Sequence, residues 1–132
     1  MSDIYVPNEI LRVFKEYYPE VSLSDVEWGW EVPAKIYEAS FDNGEVDFEV
    51  EITVTGHLLL TEISLDVEDL PENIVASVST HFEDHSIEEA AMVQYSNGDI
   101  SYEVDLRSTQ TDEEFEAHFR EDGVFIAKGY DL

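Results

Sequence analysis

The stretch "VEITVTGHLLLTEIS" (residues 50–64) decides the fold, because apolar and polar residues alternate up to a glycine and an apolar run follows. Alternation with a period of two predicts a strand with one buried face, and Gly56 predicts a turn, so the stretch predicts two strands joined by a hairpin. The stretch "EAHFREDGVFIAKGY" (116–130) has the same pattern around Gly123. A pattern that occurs twice in 132 residues predicts an internal duplication.

The alignment of the two halves extends along most of the chain. "VPNEILRVFKEYYPEVSLSDV" (6–26) aligns with "LPENIVASVSTHFEDHSIEEA" (70–90), and "KIYEASF" (35–41) aligns with "ISYEVDL" (100–106). The separation of equivalent residues grows from 64 at Pro7 and Pro71 to 67 at Gly56 and Gly123, and it grows only where loops are expected. We therefore expect two repeats, residues 1–68 and 69–132, which together form one compact domain.

Each repeat is predicted to begin with an amphipathic helix and to continue with four strands. The apolar residues Ile10, Leu11, Phe14 and Tyr18 have helical spacing, and so do their counterparts in the second repeat. Strands are expected over 26–32, 35–41, 45–55 and 58–65, and over 90–95, 99–106, 113–120 and 124–130. The predicted fold is α+β, with two tandem α-β-β-β-β units that form one antiparallel sheet and helices packed on one face.

The strand residues that alternate with the apolar ones are expected to form an open, acidic face. The candidate binding residues on that face are Glu27, Glu31, Glu38, Asp47, Glu49, Glu51, Glu103, Asp105, Glu114, Glu116 and His118. Like charges on neighbouring strands destabilise a sheet, so this face carries a folding cost that salt or a cationic partner would relieve. Carboxylates next to His118 are expected to favour its protonated form.

The charge of the chain restricts the classes of partner. Asp and Glu number 32 against 6 Lys and Arg, and the formal net charge is −26. Such a charge repels nucleic acids and anionic membranes, and no apolar run approaches the ~20 residues of a membrane span. Two interpretations remain open at this point: an acidic surface that binds a cationic protein or peptide, and acidity that serves cation binding or salt adaptation without a macromolecular partner.

Other chemistry has little support in the sequence. Without cysteine there is no disulfide or thiolate site, and the glycine- and serine-centred motifs of nucleotide-binding proteins and hydrolases do not occur. In "HFEDH" (81–85), His81 and His85 are four residues apart and would form a weak metal site if both lay on a helix. We expect a protein without cofactors or enzymatic activity.

Trp28 and Trp30 flank a glycine in the first predicted strand, with Tyr37 on the next strand. If they face the helix they belong to the core. If the first strand is shifted or lies at an edge, they form an exposed recognition patch. The core interpretation is favoured.

The first repeat resembles the PepSY-like domains in three segments: "YYPEVSLSDVEW", "YEASF" followed by a glycine, and "VDFEVEITVTGHLLLTE". The second repeat is similar but has Glu83 where the first has Pro19. The resemblance implies a tandem arrangement similar to the β-lactamase inhibitor protein, a binding or inhibitory role, an extracytoplasmic location and no catalytic residues. The N-terminal residues "MSDIYVPNEILRVF" show no secretory signal, so the sequence leaves the compartment open.

These expectations give a first testable prediction. The melting temperature is expected to rise as NaCl or CaCl₂ increases from low to molar concentration, because ions screen the repulsion between surface carboxylates. Thermal unfolding followed by circular dichroism measures it, and a flat or falling melting temperature would contradict the prediction.

Overall fold

The computed structural model describes residues 4–129. The first helix and four strands are α1 (Asn8–Tyr17), β1 (Glu27–Val32), β2 (Ile36–Asn43), β3 (Val46–Thr53) and β4 (Leu58–Leu65). The second set is α2 (Glu72–His81), β5 (His85–Tyr95), β6 (Ile100–Ser108), β7 (Glu114–Arg120) and β8 (Phe125–Gly129). One eight-stranded sheet has the strand order β1 to β8, which confirms the predicted α+β fold with two α-β-β-β-β units.

Unit 1 comprises Met1–Ile63 and Tyr95–Asn97, and its core lies between α1 and one face of its strands. Pro7 precedes α1, where the lack of an N–H costs nothing, and Glu9 stabilises the positive end of the helix dipole. Ile10 and Phe14 are one turn apart on the buried side of the helix. They pack with the strand residues Tyr37, Ala39, Phe41, Val50, Ile52 and Leu58.

The end of α1 is fixed by polar contacts to the chain that follows and to β4. The Lys15 ammonium donates hydrogen bonds to the carbonyl oxygens of Pro19 and Val21, at 2.9 and 2.7 Å. The Tyr18 hydroxyl is 2.7 Å from Oγ1 of Thr61, a buried residue of β4. These contacts explain the "YYPEV" segment: it anchors the helix end and satisfies a buried hydroxyl.

Unit 2 comprises Ser64–Gln94 and Gly98–Leu132, and it has a core of the same construction. Ile74 and Val78 form the buried side of α2. The strand residues Ala90, Val104, Leu106, Ala117 and Phe119 pack against them, together with Leu70 before the helix.

The strand registers of the two units are equivalent. Ala39 is opposite Val50 in unit 1, and their counterparts Val104 and Ala117 are opposite each other in unit 2. The larger residue has moved to the other strand, so the volume of the pair is conserved, as a close-packed core requires.

The turns after β3 and β7 are equivalent as well. Gly56 and Gly123 have positive φ angles of 94° and 92°, which favour glycine. The two glycines donate corresponding hydrogen bonds, to the carbonyl oxygens of Thr53 and Arg120, both at 2.9 Å.

The largest difference from the predicted elements is β5, which begins at His85 rather than at residue 90. An irregularity in its pairing with β6 between Ile87 and Glu89 places an extra residue in β5 and interrupts the alternation of apolar and polar residues. The first half of this strand therefore lacks the alternation from which strands were predicted. In β8 the expected final residue, Tyr130, lies outside the described residues.

Replacement of Phe14 by alanine tests the core of unit 1. Phe14 is fully buried and contacts the rings of Trp28 and Phe41, at 5.7 and 5.6 Å between ring centroids. We expect Phe14→Ala to lower the free energy of unfolding by about 3–5 kcal/mol in denaturant titrations, because it leaves a cavity. The control is Tyr17→Ala on the exposed side of α1, with an expected change within about 0.5 kcal/mol. Equal effects of the two substitutions would contradict this packing.

Candidate functional site

Carboxylates gather on the face of the unit 1 strands that is opposite the core. Glu38 of β2 is directly opposite Glu51 of β3, and Glu49 of β3 is directly opposite Glu62 of β4. Glu31 of β1 reaches the same group through a hydrogen bond to Glu38. We call Glu31, Glu38, Glu49, Glu51 and Glu62 the unit 1 acidic cluster. The predicted alternation in β1, β2 and β3 therefore brings acids from all three strands into this cluster.

The pKa values of two members of this cluster are raised far above the ordinary value for glutamate. Partial burial raises the pKa of Glu38 to about 8, helped by hydrogen bonds to Glu31 and Glu49 and by their negative charges. Partial burial also raises the pKa of Glu51 to about 7, with repulsion from Glu31, Glu62 and Glu49. The cluster therefore holds protons near neutral pH, since full ionisation would place several like charges side by side.

A groove of about 360 Å³ lies beside the acidic cluster in unit 1. Its lining includes five carboxylates and two aromatic rings: Asp25, Glu27, Asp42, Asp47, Glu49, Phe41 and Phe48. The two rings are stacked, with 4.9 Å between centroids and planes 4° apart. We call this feature the unit 1 groove. It brings together Glu27, Asp47 and Glu49 of the residues predicted from sequence.

Unit 2 has a corresponding acidic face that also contains a cation. Asp105 of β6 is opposite Glu116 of β7, and Glu103 is opposite His118. Partial burial raises the pKa of Asp105 to about 6, and repulsion from Glu116 and Glu89 adds to the shift. Glu114 accepts a hydrogen bond from Arg107 at 2.9 Å.

Arg107 also donates a hydrogen bond to Glu88, at 2.7 Å. The sequence placed Arg107 in a loop, whereas it is a residue of β6 and its side chain lies among these acids. Part of the negative charge of unit 2 is therefore balanced within the unit.

His118 is largely buried, and the expectation that its protonated form is favoured is wrong. Burial lowers the pKa of His118, and the nearby Glu116 carboxylate opposes this shift only in part. Nε2 of His118 lies 3.8 Å from Oε1 of Glu116, beyond hydrogen-bond distance. The low exposure of the ring outweighs the charge of its neighbour.

His81 and His85 do not share a helix. His81 is the last residue of α2, where Nδ1 lies 2.9 Å from the carbonyl oxygen of Ser77. His85 is the first residue of β5, and its ring packs against Phe82 and Phe115. The helical spacing that suggested a metal site is therefore absent.

Trp28 and Trp30 both lie on the helix side of β1, since they are opposite Ala39 and Tyr37. Trp28 packs against the core of unit 1. Trp30 stacks on Tyr37 with 4.4 Å between ring centroids, but 36% of it is exposed. The core interpretation holds for Trp28, and Trp30 covers the margin of the core.

Glu62 and Glu89 are among the acids on these faces that the sequence analysis missed. Glu62 is opposite Glu49, and the alternation after Gly56 could have identified it. Glu89 is opposite Asp105 and shares a hydrogen bond with it. The irregularity in β5 changes the phase of that strand just before Glu89, so no periodic signal could have identified this residue.

Together the two units define a protein of the tandem α+β, β-lactamase-inhibitor-like class. The model of the family described as "Putative beta-lactamase-inhibitor-like, PepSY-like" matches residues 1–60 and 35–127, and the chain belongs to this family. This result confirms the resemblance drawn from the sequence motifs. A comparison with curated proteins finds no match.

Solved structures from Bacteroides share the fold at low sequence identity. A DUF2874 family protein from Bacteroides ovatus ATCC 8483 has a TM-score of 0.81 and 16% identity, covering 96% of this chain and 88% of that chain. A structure from Bacteroides eggerthii DSM 20697, described as "putative periplasmic proteins", has a TM-score of 0.82 and 15% identity, covering 96% and 89%. A BLIP-like protein from Bacteroides fragilis NCTC 9343 has a TM-score of 0.73 and 17% identity, covering 95% and 87%. Within residues 4–129, no helix has the length and apolar character needed to cross a membrane.

The raised pKa of Glu38 predicts that stability falls as pH rises. A carboxyl with a pKa near 8 in the folded state and near 4.5 in the unfolded state stabilises the fold fully below pH 4.5, and this contribution is lost as pH rises to about 8. We expect Glu38→Gln, which cannot ionise, to raise the free energy of unfolding at pH 8.5 by roughly 0.5–1 kcal/mol, and to change it little at pH 4.5.

Denaturant titrations across this pH range measure the effect. The matched control is Glu45→Gln, in the exposed turn between β2 and β3, which should leave the pH profile of the wild type unchanged. If Glu38→Gln is no more stabilising at pH 8.5 than at pH 4.5, the repulsion assigned to the unit 1 acidic cluster is wrong.

Proposed function

We propose that this protein is a non-enzymatic binding module that holds a cationic segment of a protein or peptide in the unit 1 groove. The observation that carries the proposal is the composition of the groove, which is lined by five carboxylates together with two stacked aromatic rings. Charged groups of one sign in a concave site attract a ligand of the opposite sign and orient it.

The groove suits an arginine or lysine side chain in particular. Asp42 and Asp47 are directly opposite each other on β2 and β3, so a cation between them would relieve repulsion between like charges. The partly buried ring of Phe48 supplies an apolar surface for the methylene groups and a π face for the charged end. The volume of about 360 Å³ is large enough for such a side chain.

The neighbouring acidic cluster couples binding to protons. Glu49 lines the groove and also raises the pKa of Glu38 by its charge and by a hydrogen bond. A bound cation near Glu49 would favour the ionised form of Glu38, whose pKa is about 8, and that of Glu51, whose pKa is about 7. Binding at pH 7.5 should therefore release protons.

The corresponding face of unit 2 is a weaker candidate for the same ligand. Arg107 already neutralises Glu88 and Glu114 there, so a cationic partner would compete with an internal ion pair. We therefore assign the cationic partner to unit 1.

The family description supports the more specific proposal that binding is inhibitory, directed at a protein with a basic surface segment. We also propose an extracytoplasmic location. The support is the likeness to a Bacteroides eggerthii structure described as periplasmic.

The test uses a tetra-arginine peptide and a variant of the groove. The triple variant Glu27→Gln, Asp47→Asn, Glu49→Gln removes three charges from the groove. Calorimetric titration should show affinity lower by on the order of tenfold, since partly exposed ion pairs contribute about 0.5 kcal/mol each. The dependence of affinity on NaCl should weaken as well.

The matched control is Glu9→Gln, Glu16→Gln, Glu20→Gln, which removes the same charge from exposed positions on or after α1. It should keep the affinity within about twofold. Titration in buffers of different ionisation enthalpy should show proton release by the wild type at pH 7.5. Equal weakening by both triple variants would mean that net charge alone attracts the peptide. That result would favour salt adaptation over a binding groove.

A further inference from the structure

Three side chains with the chemistry of metal ligands meet on the strands of unit 2. Glu116 and His118 lie two residues apart on β7, so their side chains leave the same face of the strand. Glu103 of β6 is the direct cross-strand partner of His118. One ligand atom from each residue lies within 4.8 Å of the other two.

The imidazole of His118 is placed as a metal ligand would be. Nε2 of its ring is buried and has no hydrogen-bond partner in the described part of the chain. A buried polar atom without a partner costs free energy, so a neighbour that satisfies it is expected. Oε1 of Glu116 lies 3.8 Å from Nε2, and small side-chain rotations would bring both atoms within reach of one metal ion.

We infer that Glu103, Glu116 and His118 bind one divalent transition-metal ion, of which Zn²⁺ is the representative. Imidazole and carboxylate ligands suit Zn²⁺ at about 2.0–2.2 Å, whereas Ca²⁺ prefers oxygen ligands alone. Two carboxylates balance the charge of the ion, and Asp105, opposite Glu116, adds further negative potential. The ligands lie on paired strands, which hold them more rigidly than loops do.

Unit 1 has three carboxylates at the positions equivalent to Glu103, Glu116 and His118. Glu38 and Glu49 are the counterparts of Glu103 and Glu116, and Glu51 is the counterpart of His118. The cross-strand register is the same, because Glu38 is opposite Glu51 as Glu103 is opposite His118. The two groups of three residues thus differ at one position, which is Glu51 in unit 1 and His118 in unit 2.

Calorimetric titration with Zn²⁺ alone tests the inference. The wild-type chain should bind one equivalent. His118→Gln and Glu116→Gln should each weaken binding by on the order of tenfold or more, because even the loss of an outer-shell partner costs that much. The control Glu45→Gln, which removes one charge from the exposed turn between β2 and β3, should bind as the wild type does. Signals of the His118 ring in NMR spectra should shift on addition of Zn²⁺ and not on addition of Ca²⁺.

The alternative outcomes are distinct. Binding that His118→Gln leaves unchanged, or that His81→Gln or His85→Gln weakens instead, would overturn the inference. So would weak heats spread over many equivalents, which would indicate adventitious binding to surface carboxylates. Melting curves of each variant establish that it is folded. The result does not depend on the cationic partner proposed for unit 1, since the two experiments use different units and ligands.

Discussion

Within residues 4–129, each unit has one α-helix of ten residues for four strands, and this ratio imposes the constraint on which the rest of the structure depends. The helix can cover only one face of the strands, so apolar residues can occupy only every second position. In unit 1 the covered positions include Ala39, Val50 and Ile52, all of them fully buried. The positions between them must carry residues that tolerate water. Here these are mostly acids.

The acids are closer together than solubility requires, and protonation reduces the cost of that arrangement. Glu38 and Glu51 are directly opposite on neighbouring strands, a geometry that is unfavourable if both are ionised. Their pKa values of about 8 and 7 mean that a proton is retained where a partner cation is absent. In unit 2 the same problem is met differently, since Arg107 supplies a fixed positive charge between Glu88 and Glu114. The two units thus reduce the repulsion between neighbouring carboxylates in different ways.

The sequence predicted the fold and most members of the acidic faces, because the alternation of residues in β2, β3, β6 and β7 is regular and determines which side each residue faces. It failed where the backbone departs from that period. The irregularity after Ile87 concealed the start of β5 and the position of Glu89. The depth of burial of a side chain also could not be predicted from the alternation of residues. The pKa of His118 depends on how deeply its ring is enclosed, and the neighbouring charges alone gave the wrong sign.

The two units show which positions of this fold are free to change. In the core, the exchange of Ala39 and Val50 for Val104 and Ala117 conserves the volume of a cross-strand pair, because a change at one residue has to be compensated at the other. On the outer face no such compensation is required. One imidazole at the position of Glu51 converts a group of three carboxylates into a mixed ligand set, while the backbone register stays the same. Differences in chemistry between members of this fold should therefore be sought at the outward residues of the second and third strands of each unit.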